Sequence, residues 1–487
     1  MKVSKMLSIL CVLTLCFAFA GTAASAQDAQ RKPYTVKMVF PGDATTEATN
    51  AVAAAASEIL QDKFNTTLEI VRIGYGSFQQ EVNLMLSSGE KLDLMPNFAF
   101  NVATAANSGQ ILALDDLLAT SGSDMLNLIS DEDWACVTVG GKIYAVPNNK
   151  EKAQGFGIAM VTSVLDALNY DVNDLKTVDD LTELFRQVKQ AYPEMYPLVS
   201  DNGEIGYSFN QRDDLGGDFG VLEDCLSGST TVVDWVESDT YRNIIDQRYV
   251  WAQEGMIMPD ASTNTENAYS LMAAGKGFSY FTNTKPGIAA EWERKAGVPI
   301  TVVEFVPPFS TTSGVSNQWF ITYSSEQPER AMEVLNEMYT NPQLADILIN
   351  GIEGVHFVRD TEKGVLTYPE GVNASNTTYS SVAWAWLNEL ISTPWAADGP
   401  DIWTETIAFN KAAQNSVAKG FMWDNSNVLN EITACNNVTA KYQSALECGS
   451  LDPEEAFPRF IQELKDAGVD RIILEKQTQL DAWLKDR

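Results

Sequence analysis

The stretch "KLDLMPNFAFN", residues 91–101, decides the architecture. Leu92, Leu94 and Met95 suit a buried strand, Pro96 ends it, and Asn97, Phe98, Phe100 and Asn101 follow at once. Proline cannot donate to a continuing ladder. Rings and amides are therefore delivered together at the carboxyl tip of a strand. Upstream, the alternation of Tyr34, Val36, Met38 and Phe40 predicts a strand that ends at Pro41-Gly42-Asp43. The Ala-rich run 46–64 predicts a helix, and 67–73 a second strand ending at Gly74-Tyr75-Gly76. Ser77 and Gln80 have capping-box spacing, and Phe78, Val82, Met85 and Leu86 line one face of a helix stopped by Gly89. Strand, helix, strand, helix, strand predicts a parallel, mostly buried sheet. Ligands of such sheets lie beyond the carboxyl ends of the strands. Asp43, Tyr75, Phe98 and Asn101 are accordingly candidate ligand contacts.

Lys2 and Lys5 precede an apolar run from Met6 to Ala20, followed by Ala24-Ser25-Ala26. This pattern predicts a secretory signal peptide cleaved after Ala26, too short to span a bilayer. Leu10 before Cys11 and Leu15 before Cys16 do not fit a lipobox. Of 487 residues, 461 remain, enough for two domains. The leader holds two lysines and no acid, so its loss moves the formal charge from −32 to −34. With no basic cluster, a chain this acidic is not expected to bind nucleic acid or anionic membrane.

Further along, "GKIYAVPNNKE" (141–151) predicts a short strand and then a polar crossing between domains. A second α/β pattern occupies 155–301, with helices expected at 179–192 and 240–254 and a strand at 277–282. "VVEFVPPFS" (302–310) is the expected second crossing, 315–324 a strand, and Pro328 the start of a helix to about 339. "WAWLNELI" (384–391) and most of the chain beyond Glu405 have helical spacing. Export permits disulfides among Cys136, Cys225, Cys435 and Cys448. The period of Val428, Ile432, Cys435, Val438, Tyr442 and Leu446 puts Cys435 and Cys448 on one helix, about 20 Å apart, too far to pair. A bridge would involve Cys225 or Cys136, or else the thiols stay buried and free.

His356 is the only histidine, and no G-x-S-x-G, C-x-x-C, H-E-x-x-H, EF-hand or P-loop pattern occurs. Neither metal nor cofactor is expected. Paired carboxylates for a glycosidase carry no specificity among 65 acidic residues. Tryptophan is more informative: five of eleven lie between Trp384 and Trp423. A flat ring covers the apolar face of a sugar while amides and carboxylates satisfy its hydroxyl rim. Trp395 and Trp403 flank a Pro/Gly loop with Asp398 and Asp401; Asn317 and Trp319 open a strand; Trp423 and Asp424 precede a long helix. All but the loop aspartates are candidate contacts. Glu151 after the first crossing and Arg212 in "NQRDDLGG" could each hold a hydroxyl.

Several stretches together resemble the extracellular solute-binding proteins of bacterial ABC importers, of the carbohydrate-uptake type. They are "FQQEVNLMLSSGEKLDLM" (78–95), "VTVGGKIYAVP" (137–147), "SSEQPERAMEVLNEMYTNP" (324–342), "NGIEGVHF" (350–357) and "ILEKQTQLDAWL" (473–484). Within that family the chain is most similar to a LipO-like subgroup, whose members usually carry the lipobox missing here, which favours free periplasmic or secreted residence. The resemblance implies a two-lobe periplasmic-binding-protein α/β fold with hinge crossings and a helical C-terminal region. It would assign 27–147 and 304–355 to one lobe, and 148–303 and 356–487 to the other. It also adds Tyr280 and Asn283, in "FSYFTNTKPG" (278–287), as contacts at a strand end facing the cleft. The implied function is capture of a carbohydrate, in the form of an oligosaccharide, by a monomer that delivers it to the permease subunits. The rival readings are an exported carboxylate-dependent glycosidase and a binding protein for peptide or another polar solute.

Overall fold

The computed structural model describes residues 31–42, 44–98, 100–206, 211–373 and 376–486. The chain opens with β1 (Tyr34–Pro41), α1 (Thr46–Phe64), β2 (Thr66–Ile73), α2 (Phe78–Ser88) and β3 (Leu94–Pro96). β1 lies parallel between β2 and β3, with Tyr34 opposite Thr66 and Met38 opposite Leu94. Thr45 caps α1 by accepting from the Ala48 amide. The capping box expected at Ser77 does not form. Ser77 adopts helical angles instead of the extended ones a cap needs, and its hydroxyl donates to the Gly74 carbonyl, 3.4 Å away. A short helix, α3 (Val102–Asn107), follows the tip of β3.

After the first crossing come β4 (Ala153–Val161), β5 (Tyr196–Leu198), α4 (Asp239–Gln253), β6 (Gly277–Thr284) and β7 (Ile300–Ser310). β4 pairs antiparallel with both β6 and β7, and β5 joins β6 in parallel. Residues 302–310, expected as a crossing, are thus most of a strand. The ladder tolerates Pro307 and Pro308 because its register shifts between Gln154 and Gly157, so that the flanking Val306 and Phe309 have partners on β4 and the two prolines do not. The second crossing is 311–318. There a Cβ on Gly314 would sit 2.0 Å from the Lys152 carbonyl oxygen. Only glycine lets the two crossings touch.

β8 (Trp319–Ile321) then returns to the first sheet, antiparallel to β3, giving the order β8-β3-β1-β2. α5 (Pro328–Thr340) and α6 (Pro342–Asn350) follow. This first core also takes in Tyr379, Trp386 and Leu387, beyond residue 355 where the sequence reading returned to the second lobe. The helix expected at 384–391 is instead two short 3-10 turns, Ala383–Ala385 and Glu389–Ile391. Tertiary partners override the period here: Trp386 stacks on Phe40 at 4.0 Å, and Asn388 Nδ2 donates to the Tyr339 carbonyl at 2.8 Å.

The chain passes to the second sheet once more through α7 (Ile402–Ala412) and β9 (Gln414–Asn415), which pairs in parallel with β7. The sheets are therefore linked by three passages, the last of them after residue 391 and not at 355–356, where the lobe division put it. α8 (Leu429–Glu447), α9 (Pro453–Ala467) and α10 (Val469–Asp486) form the helical C-terminal region. They pack with Trp235, Tyr241 and Phe309 in a core separate from that of Ile158, Phe185 and Phe281. α8 is continuous through Cys435 and Cys448 caps it, so these two cannot pair. All four cysteines of the described residues are buried and free, and burial pushes the Cys136, Cys225 and Cys448 thiols up to about 12. No described helix is long and apolar enough to cross a membrane.

One buried acid beside this core sets a pH prediction. Asp234 Oδ1 accepts from the Val236 amide at 3.0 Å, while Oδ2 has no partner. Burial pushes its carboxyl up to about 6. A folded pKa above the unfolded value of about 3.9 means that stability is full below pH 4 and is lost as pH rises through 6. Asp234→Asn mimics the protonated acid. It is expected to add roughly 2 kcal/mol at pH 7.5 relative to wild type and nothing at pH 3.5, as read from denaturant melts at both pH values. An equal gain at both would show that the charge is not the cause.

Candidate ligand-binding cleft

A cavity of about 490 Å³ opens where the lobes meet the second crossing. The first lobe contributes Asn97, Phe98 and Phe100 beyond β3, with Asn101 and Val102 opening α3. The crossing contributes Thr312, Ser313, Ser316, Asn317 and Gln318. The second lobe adds Asp214, Gly216, Gly217 and Asp218 from one loop, and Phe421, Met422, Trp423 and Asn425 from another. Two aspartates are the only charged residues among these, and the described lining has no lysine or arginine.

Pro96 stops the ladder, and the next backbone amide turns to the crossing: Asn97 N donates to the Gln318 carbonyl at 2.7 Å. The two side-chain amides are bonded to each other as well. Asn317 lies beside them in the left-handed region at φ 68°, which asparagine accepts more readily than most residues. Asn101 Oδ1 caps α3 through the Thr104 amide at 2.9 Å, and its Nδ2 donates to the Trp423 carbonyl at 3.0 Å. Phe98 meets Tyr75 and Phe78 edge-on, at 5.4 and 5.5 Å. Its ring both seals the sheet end and lines the cleft.

The opposite wall depends on one lysine. Lys476 of α10 is fully buried, and its Nζ donates to the carbonyls of Asp214 (3.0 Å), Gly217 (3.0 Å), Phe219 (2.6 Å) and Gly220 (2.8 Å). Burial pushes this ammonium down to about 7. The same nitrogen stands 4.2 Å from the centre of the Trp423 ring. Gly217 has to be glycine because a Cβ would come within 2.8 Å of that ring. Asp424 ties this wall to the first lobe by accepting from Asn107 Nδ2 at 2.6 Å and Thr104 Oγ1 at 3.3 Å. Its own backbone exchanges two hydrogen bonds with the Gln479 side chain, at 2.9 and 2.8 Å. Residues 421–425 thus form a strut from α10 to α3.

The candidates read from the sequence divide sharply. Phe98, Asn101, Asn317 and Trp423 line the cleft. Tyr75, 43% exposed, stands behind Phe98, and Asp424 behind Trp423. Asp43 lies outside the described residues. Trp319 is removed from the site: it has no exposed surface, stacks on Trp386 and Phe40, and donates Nε1 to the Ala385 carbonyl at 2.9 Å. Trp395 and Trp403 spend their indole N–H groups on Asn350 Oδ1 (2.9 Å) and the Ser392 carbonyl (2.7 Å), away from the cleft. Asn283 accepts from its neighbour Thr282 at 3.4 Å and does not line it either. Glu151 lies at the passage between lobes, 3.6 Å from Lys285. Burial and that carboxylate hold the adjacent Glu389 well above the usual carboxylate range. Arg212 pairs with Asp214 at 2.6 Å, and with Tyr280 it lines a different cavity. Phe100 and the loop 214–218 were not among the candidates. The turn-forming "DDLGGD" (213–218) was the available signal for the loop.

Residues 42–345 match the profile of the bacterial extracellular solute-binding proteins. The chain belongs to that family. A second profile, a domain of unknown function designated DUF3502, covers residues 417–485 of this solute-binding protein. It is 26% identical over 502 residues to a carbohydrate ABC transporter substrate-binding protein of Streptococcus pneumoniae serotype 4, spanning 98% of this chain and 96% of the relative. Among solved structures it resembles the N-glycan transport solute-binding protein NgtS of Streptococcus pneumoniae, with TM-score 0.82, 23% identity, and coverage of 93% of this chain and 99% of that one. Structures of NgtS with Man1GlcNAc and Man5GlcNAc superpose less well, at 0.75 and 0.73. FusA of Streptococcus pneumoniae in complex with kestose matches at TM-score 0.64 and 17% identity, over 93% of this chain and 100% of that one. The fold is thus the two-lobe one expected.

Proposed function

We propose that this solute-binding protein captures a neutral oligosaccharide between its lobes and presents it to the permease of an ABC importer. The observation that carries this reading is the lining of the cleft. Phe98, Phe100 and Phe421 line it together with Asn97, Asn101 and Asn317 and with Thr312, Ser313 and Ser316, and no cation is among the lining residues. Rings suit the apolar faces of sugars, amides and hydroxyls suit the rims, and two aspartates disfavour anionic ligands. The descriptions of the relatives point the same way. Ligand touching both walls would favour closure by its differential affinity for the closed state. The monomer, the residence outside the cytoplasm and the LipO-like subgroup belong to the same reading, as does a lobe division placing 319–391 with the first sheet.

A thermal-shift screen against neutral glycans, uronates and peptides tests it. Several degrees of stabilisation by neutral glycans alone are expected, together with a smaller radius of gyration in X-ray scattering. A response to peptides with none to glycans would overturn it, and release of cleavage products would turn the reading toward a glycosidase.

A further inference from the structure

We propose that the second lobe holds an additional saccharide subsite, built on α8, which receives the units of a long or branched glycan that the main cleft does not hold. The proposal rests on the oligosaccharide reading above. Its basis is a separate cavity of about 640 Å³ between α4, α8 and β6. Either cavity alone falls within the roughly 300–1,000 Å³ of a small-molecule site. Asp218 faces both. Arg212, in the wall of the second, is bound at 2.6 Å to Asp214, in the wall of the first. The loop 212–218 is therefore a shared partition, and a glycan arm passing Asp218 would enter the second cavity.

The chemistry inside suits a neutral polyol. Trp235 and Tyr280 supply rings, and the Arg212 guanidinium lies over the Trp235 ring at 4.7 Å. Asn436 and Gln443 line it from α8, with Gln443 Nε2 donating to Glu447 Oε1 at 2.8 Å. Thr439 Oγ1, on the same helix, is buried and makes no hydrogen bond, and buried hydroxyls ordinarily have a partner. Glu204, Asp218 and Glu447 outnumber the two guanidiniums of Arg212 and Arg248, so the cavity does not select for an anion. Arg248 is itself committed, with Glu447 at 3.7 Å. The subsite would give the helical region 417–485, which matches a domain of unknown function, a direct part in reading ligand length.

Isothermal titration of the full chain decides this, using the shortest and longest neutral glycans that shift its melting temperature, beginning with Man1GlcNAc and Man5GlcNAc. Wild type is expected to bind the longer at least tenfold more tightly. Ala440→Trp, at an exposed position on the rim of the cavity, is expected to bring that ratio close to one, and Gln443→Ala to reduce it at least threefold, with melting curves confirming folded variants. An unchanged ratio in both variants, or no preference for length in wild type, would overturn the subsite while leaving the main cleft intact. If no glycan of the panel binds, the oligosaccharide reading falls and the subsite with it.

Discussion

Lys476→Met is expected to destabilise the second lobe by about 3–5 kcal/mol, lowering its melting transition by on the order of 10 °C. Methionine keeps the length of the side chain and its apolar stem but supplies no donor. The carbonyls of Asp214, Gly217, Phe219 and Gly220 would all lose the same partner. Each buried acceptor left unmade costs roughly 1–3 kcal/mol, part of which relaxation recovers. The loop bearing Asp214, Gly216, Gly217 and Asp218 is the second-lobe wall of the cleft, so its loosening should also weaken glycan binding at least tenfold. Differential scanning calorimetry and titration on one preparation read both effects. A wild-type melt would show that the loop stands without the ammonium.

Phe100→Ala is expected to weaken glycan binding by roughly 10–30-fold, corresponding to about 1.4–2 kcal/mol, with little change in stability. The ring lines the cleft and is only half-buried. Its remaining apolar face is available to a sugar, and truncation removes that contact without opening a core cavity. Trp395→Ala is the informative control: its indole is tied to Asn350 and packs on Tyr368 at 4.6 Å, outside the cleft, so affinity should not move. If Phe100→Ala also left affinity unchanged, the ring would not be a ligand contact.

The first α/β sheet was legible because its cause is local. The alternation of Tyr34, Val36, Met38 and Phe40, the alanines of α1 and the stop at Pro96 each act within a few residues, and β1, α1, β2, α2 and β3 lie where those signals put them. The same locality delivered Phe98, Asn101, Asn317 and Trp423, which sit at strand or helix ends whose position the chain itself announces. Other readings depended on partners distant in sequence. Pro307 and Pro308 looked like a break until the shifted register of β4 against β7 accommodated them. Trp319 looked available because nothing nearby revealed that Phe40 and Trp386 would enclose it. The most consequential case is Lys476. In the sequence it is one more charge on an amphipathic helix; only the folded chain brings four carbonyls, more than 250 residues upstream, around one nitrogen. Backbone propensity and periodicity are properties of short segments, so the sequence alone determined the elements of the first sheet and its strand tips. Burial and hydrogen-bond satisfaction are properties of what the fold brings together, so only the tertiary structure decided which of those rings and charges face the cleft.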